Sequence, residues 1–252
     1  MKQVIISGSL IRYADEGSGD VILMLHGWNS HAGTFDQLAS ALSGSQRVIR
    51  PDLPGFGGSQ VPQTALSVSN FAEIIHEFCK KLKIEPNVII GHSLGGRIAL
   101  KGVSVGLFKP KRLILLASAG IRSSDSVRNQ SYKAVAKIGK TVTSLPGIRA
   151  VQPKLRRALY RQAGATDYLE AGPMRDTFIR VINEDLRPDA EQVKVPTLLL
   201  YGDGDEETPL HDAKLLSGAI KDSRLEVLAS AGHYVFLDKP TESIKLIQEF
   251  IR

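Results

Sequence analysis

The sequence predicts an α/β protein with a mostly parallel central sheet, helices on both faces and one long helical insertion. Short, β-rich apolar segments alternate with helical ones from residue 20 onward. Most of those segments lack polar alternation, as strands do when helices cover both faces of their sheet. The alternation then stops between residues 121 and 190, where only helical patterns occur over 70 residues.

The first eighteen residues predict an antiparallel hairpin added at the sheet edge. Strands follow at 21–25, 47–52, 87–90, 113–117, 197–201 and 225–228. Between them, 67–82 places Phe71, Ile74, Ile75, Phe78 and Leu82 at helical spacing, with Ser67 as N-cap. Helices are also predicted at 94–105, 210–220 and 241–251. Strand–helix alternation of this kind implies a parallel sheet. Within 121–190, Met174, Phe178, Val181, Ile182 and Leu186 line one helical face, and Leu155, Ala158 and Leu159 line another. Pro146, Gly147 and Pro153 punctuate these pieces. A single crossover helix needs only about 12–20 residues, so the stretch predicts an inserted helical cap. The expected organisation is a core of residues 1–120 and 191–252 carrying a cap of residues 121–190.

Composition narrows the class further. A chain of 252 residues with 42% hydrophobic and 23% charged composition buries a sizeable core and is not intrinsically disordered. The longest apolar runs are five residues, far short of the ~20 that span a bilayer. The N-terminal segment has no apolar stretch long enough for the core of a signal peptide. One cysteine, Cys79, cannot form an internal disulfide, and a cytoplasmic location is expected. The net charge of +6 lies wholly in 121–190, where 13 Lys/Arg face 7 Asp/Glu; the remainder is neutral. Lys154, Arg156, Arg157 and Arg161 fall mostly opposite Leu155, Ala158 and Leu159, which predicts an amphipathic helix with a solvated basic face. No nucleic-acid partner and no stable membrane insertion are expected, and at most that face touches an anionic surface.

The strongest local signal is Gly91-His92-Ser93-Leu94-Gly95-Gly96, directly after the strand NVII and before a helix. A serine on so sharp a strand-to-helix turn needs small neighbours, because the backbone there is strained and close-packed. A helix N-terminus beside it favours developing negative charge. Serine is a poor nucleophile without a base, and the base needs an orienting carboxylate. Downstream, one strand ends in Gly202-Asp203-Gly204-Asp205-Glu206-Glu207-Thr208-Pro209, and after the last strand comes Ala231-Gly232-His233-Tyr234. His233 is the one histidine of six in such a position downstream of the serine. His31, His76 and His211 fall in a loop or on helices, and the His92 side chain is expected to point away from where the base acts. Asp203, Asp205 and Glu206 are all candidates for the carboxylate. No phosphate-loop pattern, dinucleotide fingerprint or zinc-ligand spacing occurs, so neither cofactor nor metal is expected.

These motifs, with His26-Gly27-Trp28 and Asp52-Leu53-Pro54-Gly55-Phe56-Gly57-Gly58-Ser59 after two earlier strands, give a chain that resembles the α/β-hydrolase-fold serine hydrolases over nearly its whole length. The resemblance implies Ser93 as nucleophile, His233 as base and, by the family's G-x-x-D pattern, Asp205 as acid. It also implies an oxyanion hole from the backbone N–H groups of Trp28 and Leu94; removing one such donor typically costs ~2.7–4 kcal/mol of barrier. Relatives that are dehalogenases or epoxide hydrolases carry Asp at the elbow, and Ser93 sets this chain apart from them. The expected activity is hydrolysis of a small-molecule ester or related acyl substrate. C–C bond cleavage, perhydrolysis and slow-turnover ligand reception on the same fold are the alternatives.

Overall fold

The computed structural model describes residues 1–121 and 171–252. Eight strands form one sheet: β1 (Lys2–Ile6), β2 (Ser9–Glu16), β3 (Val21–Leu25), β4 (Arg47–Pro51), β5 (Val88–His92), β6 (Arg112–Leu116), β7 (Thr197–Gly202) and β8 (Ser223–Leu228). Their order is β1-β2-β4-β3-β5-β6-β7-β8. The β1–β2 hairpin is antiparallel and joins β4 antiparallel, as the N-terminal sequence predicts, and all other pairs are parallel. The parallel pairing of β3 to β8 brings the C-terminal ends of those strands to the same edge, which is where loops with chemistry collect.

The two faces are covered because successive residues of each strand point to opposite sides. Leu23, Leu25, Leu113, Leu115, Leu199 and Tyr201 face one core with α2 (Val68–Leu82), α3 (Leu94–Ser104) and α6 (Leu210–Ala219). Ile22, Met24, Ile114, Leu116, Leu198 and Leu200 face the other, with α1 (Asp36–Leu42) and α8 (Pro240–Ile251). Continuous apolar strands are the expected result. In α2, Ser67 caps the helix as predicted, and Asn70 answers it with a reciprocal bond to the Ser67 backbone. Cys79, on the buried face of α2, is a free thiol that burial pushes up to about 12, so it is inert packing.

Of the predicted 121–190 segment, residues 122–170 lie outside the described residues, and with them the basic cluster 154–161. Residues 171–190 contain α4 (Arg175–Asn183) and α5 (Arg187–Ala190). Met174, Phe178, Val181 and Leu186 are buried, as their helical spacing predicts, while Ile182 is half-buried. Leu186 donates its N–H to Gly120 O at 2.8 Å, and Lys101 of α3 bridges Glu184 and Asp189. This end of the segment is therefore stitched to the core. The remaining helix, α7 (Val235–Asp238), is a single turn between His233 and α8.

Candidate active site

The serine stands where two elements meet without a loop. β5 runs two residues past its predicted end, to His92, and α3 begins at Leu94. Ser93 between them has φ 49° and ψ −109°, a left-handed region that disfavours an L side chain and stores strain. Neighbouring groups hold it there: its N–H donates to Leu116 O at 3.1 Å, and its carbonyl accepts from Arg97 N at 3.2 Å. The turn closes because its glycines allow it. A Cβ on Gly95 would lie 1.9 Å from Leu25 O, and one on Gly91 would lie 2.5 Å from Gly95 O. Helix α3 thus presses its first turn directly onto the end of β3. Leu94, the first residue of that turn, has an N–H with no carbonyl partner within the helix.

Two loops at the same edge bring Asp205 and His233 together. His233 Nδ1 lies 2.9 Å from Asp205 Oδ2. The carboxylate is buried and further held by Glu207 N and Thr208 N on Oδ1, at 2.8 and 2.9 Å, and by Thr208 Oγ1 on Oδ2 at 2.5 Å. Burial works to raise the Asp205 pKa, but the bonds from His233 and Thr208 outweigh it and keep the group below the ordinary carboxylate value. Of the three candidate carboxylates, Asp205 alone makes this contact. Asp203 and Glu206 are exposed.

The Trp28 side builds a wall. His26 Nε2 accepts from Leu53 N at 2.9 Å, tying the His-Gly-Trp turn to the loop after β4. Asp52 orders that loop by accepting from Ala32 N at 2.7 Å and Gly58 N at 2.8 Å. Trp28 then packs against Phe56, with ring centres 4.8 Å apart, and against Phe178 of α4 at 4.9 Å. Phe178 carries the end of the 121–190 segment to the site. The sheet edge therefore gathers all five motifs of the sequence.

Three residues go beyond the sequence reading. Thr208 joins the site through its bonds to Asp205, and its signal in the sequence is the Asp-Glu-Glu-Thr-Pro turn, in which a carboxylate accepts the N–H groups two and three residues on. The expected orientation of His92 is corrected: its ring lies 4.8 Å from that of His233, and its Nε2 is 3.0 Å from His233 O. Close packing at the β5 end turns the side chain under the neighbouring loop. Burial, and next the charge of His233, push the His92 pKa down to about 3, so it is a neutral donor to that carbonyl. Glu207, finally, places Oε2 3.5 Å from His233 Nε2.

Among the described residues, no group of three His, Cys, Asp or Glu side chains could hold a metal ion, and no helix is long and apolar enough to cross a membrane. The chain belongs to the alpha/beta hydrolase fold family, whose pattern it matches over residues 20–240, and is a hydrolase of that fold. It is 27% identical over 254 residues to monoacylglycerol lipase ABHD6 of Mus musculus, covering 91% of this chain and 75% of that protein. A thermophilic esterase from Thermogutta terrifontis superposes with a TM-score of 0.77 at 21% identity, covering 100% of this chain and 98% of the other. A meta-cleavage product hydrolase from Pseudomonas fluorescens gives 0.76 at 23% identity, covering 99% and 97%. At these identities the two structures share the fold.

Proposed function

We propose that the protein is a cofactor-independent serine hydrolase that cleaves carboxylic esters or related acyl compounds. The observation that carries this reading is the 2.9 Å contact between His233 Nδ1 and the buried Asp205, at the edge where Ser93 is held in a strained turn. With Nδ1 occupied, Nε2 is the nitrogen available to take the Ser93 proton as Oγ attacks the carbonyl carbon. The backbone N–H groups of Leu94 and Trp28 stabilise the resulting oxyanion. As the C–O bond breaks, Nε2 returns the proton to the leaving alcohol. Water, deprotonated by the same nitrogen, then hydrolyses the acyl-enzyme and regenerates Ser93. Residues 171–190 contribute to substrate specificity at the wall of the site, a role supported by the Phe178–Trp28 contact.

Chromogenic esters of increasing acyl length, with a monoacylglycerol added because a relative is a monoacylglycerol lipase, test this directly. Turnover is expected, falling by several orders of magnitude in both Ser93→Ala and His233→Ala, because triad members act as a unit. His211→Ala, on α6, is expected to behave like wild type. Equal behaviour of the two histidine variants contradicts the assigned base. A ring-cleavage diketone consumed far faster than any ester shifts the reading to C–C hydrolysis.

A further inference from the structure

One buried imidazole, that of His92, touches each part of the site. Ser93 follows it directly in the chain. On its Nε2 side the ring is 3.0 Å from His233 O, so the base is held by its main chain as well as by the Asp205 contact at its Nδ1. On its Nδ1 side lies Gly27 of the His-Gly-Trp turn, where a Cβ would meet His92 Nδ1 at 2.8 Å and Ser93 Cβ at 3.2 Å. The nucleophile, the turn before Trp28 and the base loop therefore pack on one side chain. Burial pushes the His92 pKa down to about 3, and a neutral imidazole carries one ring proton. A carbonyl needs a donor, so that proton is on Nε2. Nδ1 is left buried with no hydrogen-bond partner, a cost that an apolar ring of similar shape would avoid. What histidine supplies and an apolar ring does not is the Nε2–H bond to His233.

We propose that His92 is a positioning residue: its Nε2–H bond fixes the His233 main chain so that the base's own Nε2 meets the leaving-group oxygen. The inference rests on the proposed roles of Ser93 and His233. His92 acts through His233 and not on the substrate. Without the bond, the His233 imidazole is free to pivot about its Asp205 contact, and return of the proton to the leaving group suffers most. An alkoxide is a poor leaving group and departs with a proton from the general acid, whereas nitrophenolate is a stable anion that departs without one. The signature is therefore a loss that grows with the basicity of the leaving group. A smaller folded fraction lowers turnover of every ester equally and cannot produce it.

The test compares kcat/KM for an ethyl and a nitrophenyl ester of one acyl chain, which both report formation of the same acyl-enzyme. His92→Phe keeps a ring and removes the donor. The amide of His92→Asn reaches only the Nδ1 position, whereas that of His92→Gln reaches the Nε2 position and can donate to the carbonyl. The ethyl-to-nitrophenyl ratio is expected to fall by about two- to tenfold in His92→Phe and in His92→Asn, the scale of one hydrogen bond. In His92→Gln it is expected to stay near that of wild type. Either of the first two variants decides the matter alone if the other gives no soluble protein. A wild-type ratio in His92→Phe or His92→Asn, or a fall in His92→Gln as deep as theirs, overturns the proposal. Turnover of both esters that persists in Ser93→Ala instead overturns the underlying site.

Discussion

Asp205 accepts three hydrogen bonds from its own loop and a fourth from His233, so one buried carboxylate fixes both the loop and the imidazole. Thr208 Oγ1 is the side-chain donor in that set, and it also sits 3.3 Å from His233 Nδ1. Thr208→Val keeps the shape and removes the donor. Hydrogen bonds to charged groups are worth about 1.5–3 kcal/mol, so kcat/KM is expected to fall at least tenfold, mainly in kcat. Thr208→Ser is expected to recover most of it. Steady-state kinetics on one fast ester decide the matter; a wild-type Thr208→Val rules out Thr208 as a positioning residue. At this scale the placement of Ser93, Asp205 and His233 just beyond strand ends could be read from the chain, because each stands in a short local motif after an apolar run. His92 and Glu207 could not. Their partners lie far away along the chain, 141 residues in the case of the His92–His233 bond, and tertiary closure alone makes those contacts.

The strand–turn–helix around Ser93 depends on close approach of α3 to β3, and glycine substitutions measure that dependence. Gly95→Ala forces a Cβ to 1.9 Å from Leu25 O, a backbone atom that cannot move cheaply. Loss of at least about 3 kcal/mol of stability, or of soluble protein, is expected. Gly218→Ala, in α6 with nothing within 4 Å, is expected to gain about 0.5 kcal/mol because alanine is the better helix former. Urea midpoints compare the two; shifts of the same sign contradict the packing account. Among elements, α2 was legible from its full amphipathic period and capped start. The seven-residue α1 and four-residue α7 were not, since so few residues show no period, and their burial against Phe35, Phe236 and the sheet is what makes them helical.

Over the whole molecule, the parallel sheet was legible because apolar runs buried on both faces leave no other arrangement, whereas the strand order was not, because pairing partners leave no mark in a single sequence. The fold also carries an acid weakness. His26 and His92 are fully buried, and burial pushes their pKa values down to about 4 and about 3. Unfolded, each titrates near ~6.5, so below that pH the unfolded chain binds more protons than the folded one. Stability is full above pH ~6.5 and is lost as pH falls through the window toward about 4 and about 3, by about 1.4 kcal/mol per pH unit for each ring. Urea unfolding at pH 7 and pH 5 checks this, and equal stabilities refute neutral burial of the two rings. The central claim, that Ser93 is a nucleophile driven by His233, is tested most directly by an active-site phosphonate probe followed by peptide mapping. One adduct on Ser93 is predicted, absent in Ser93→Ala and strongly slowed in His233→Ala; an adduct on another residue, or labelling that persists in the alanine variant, contradicts it.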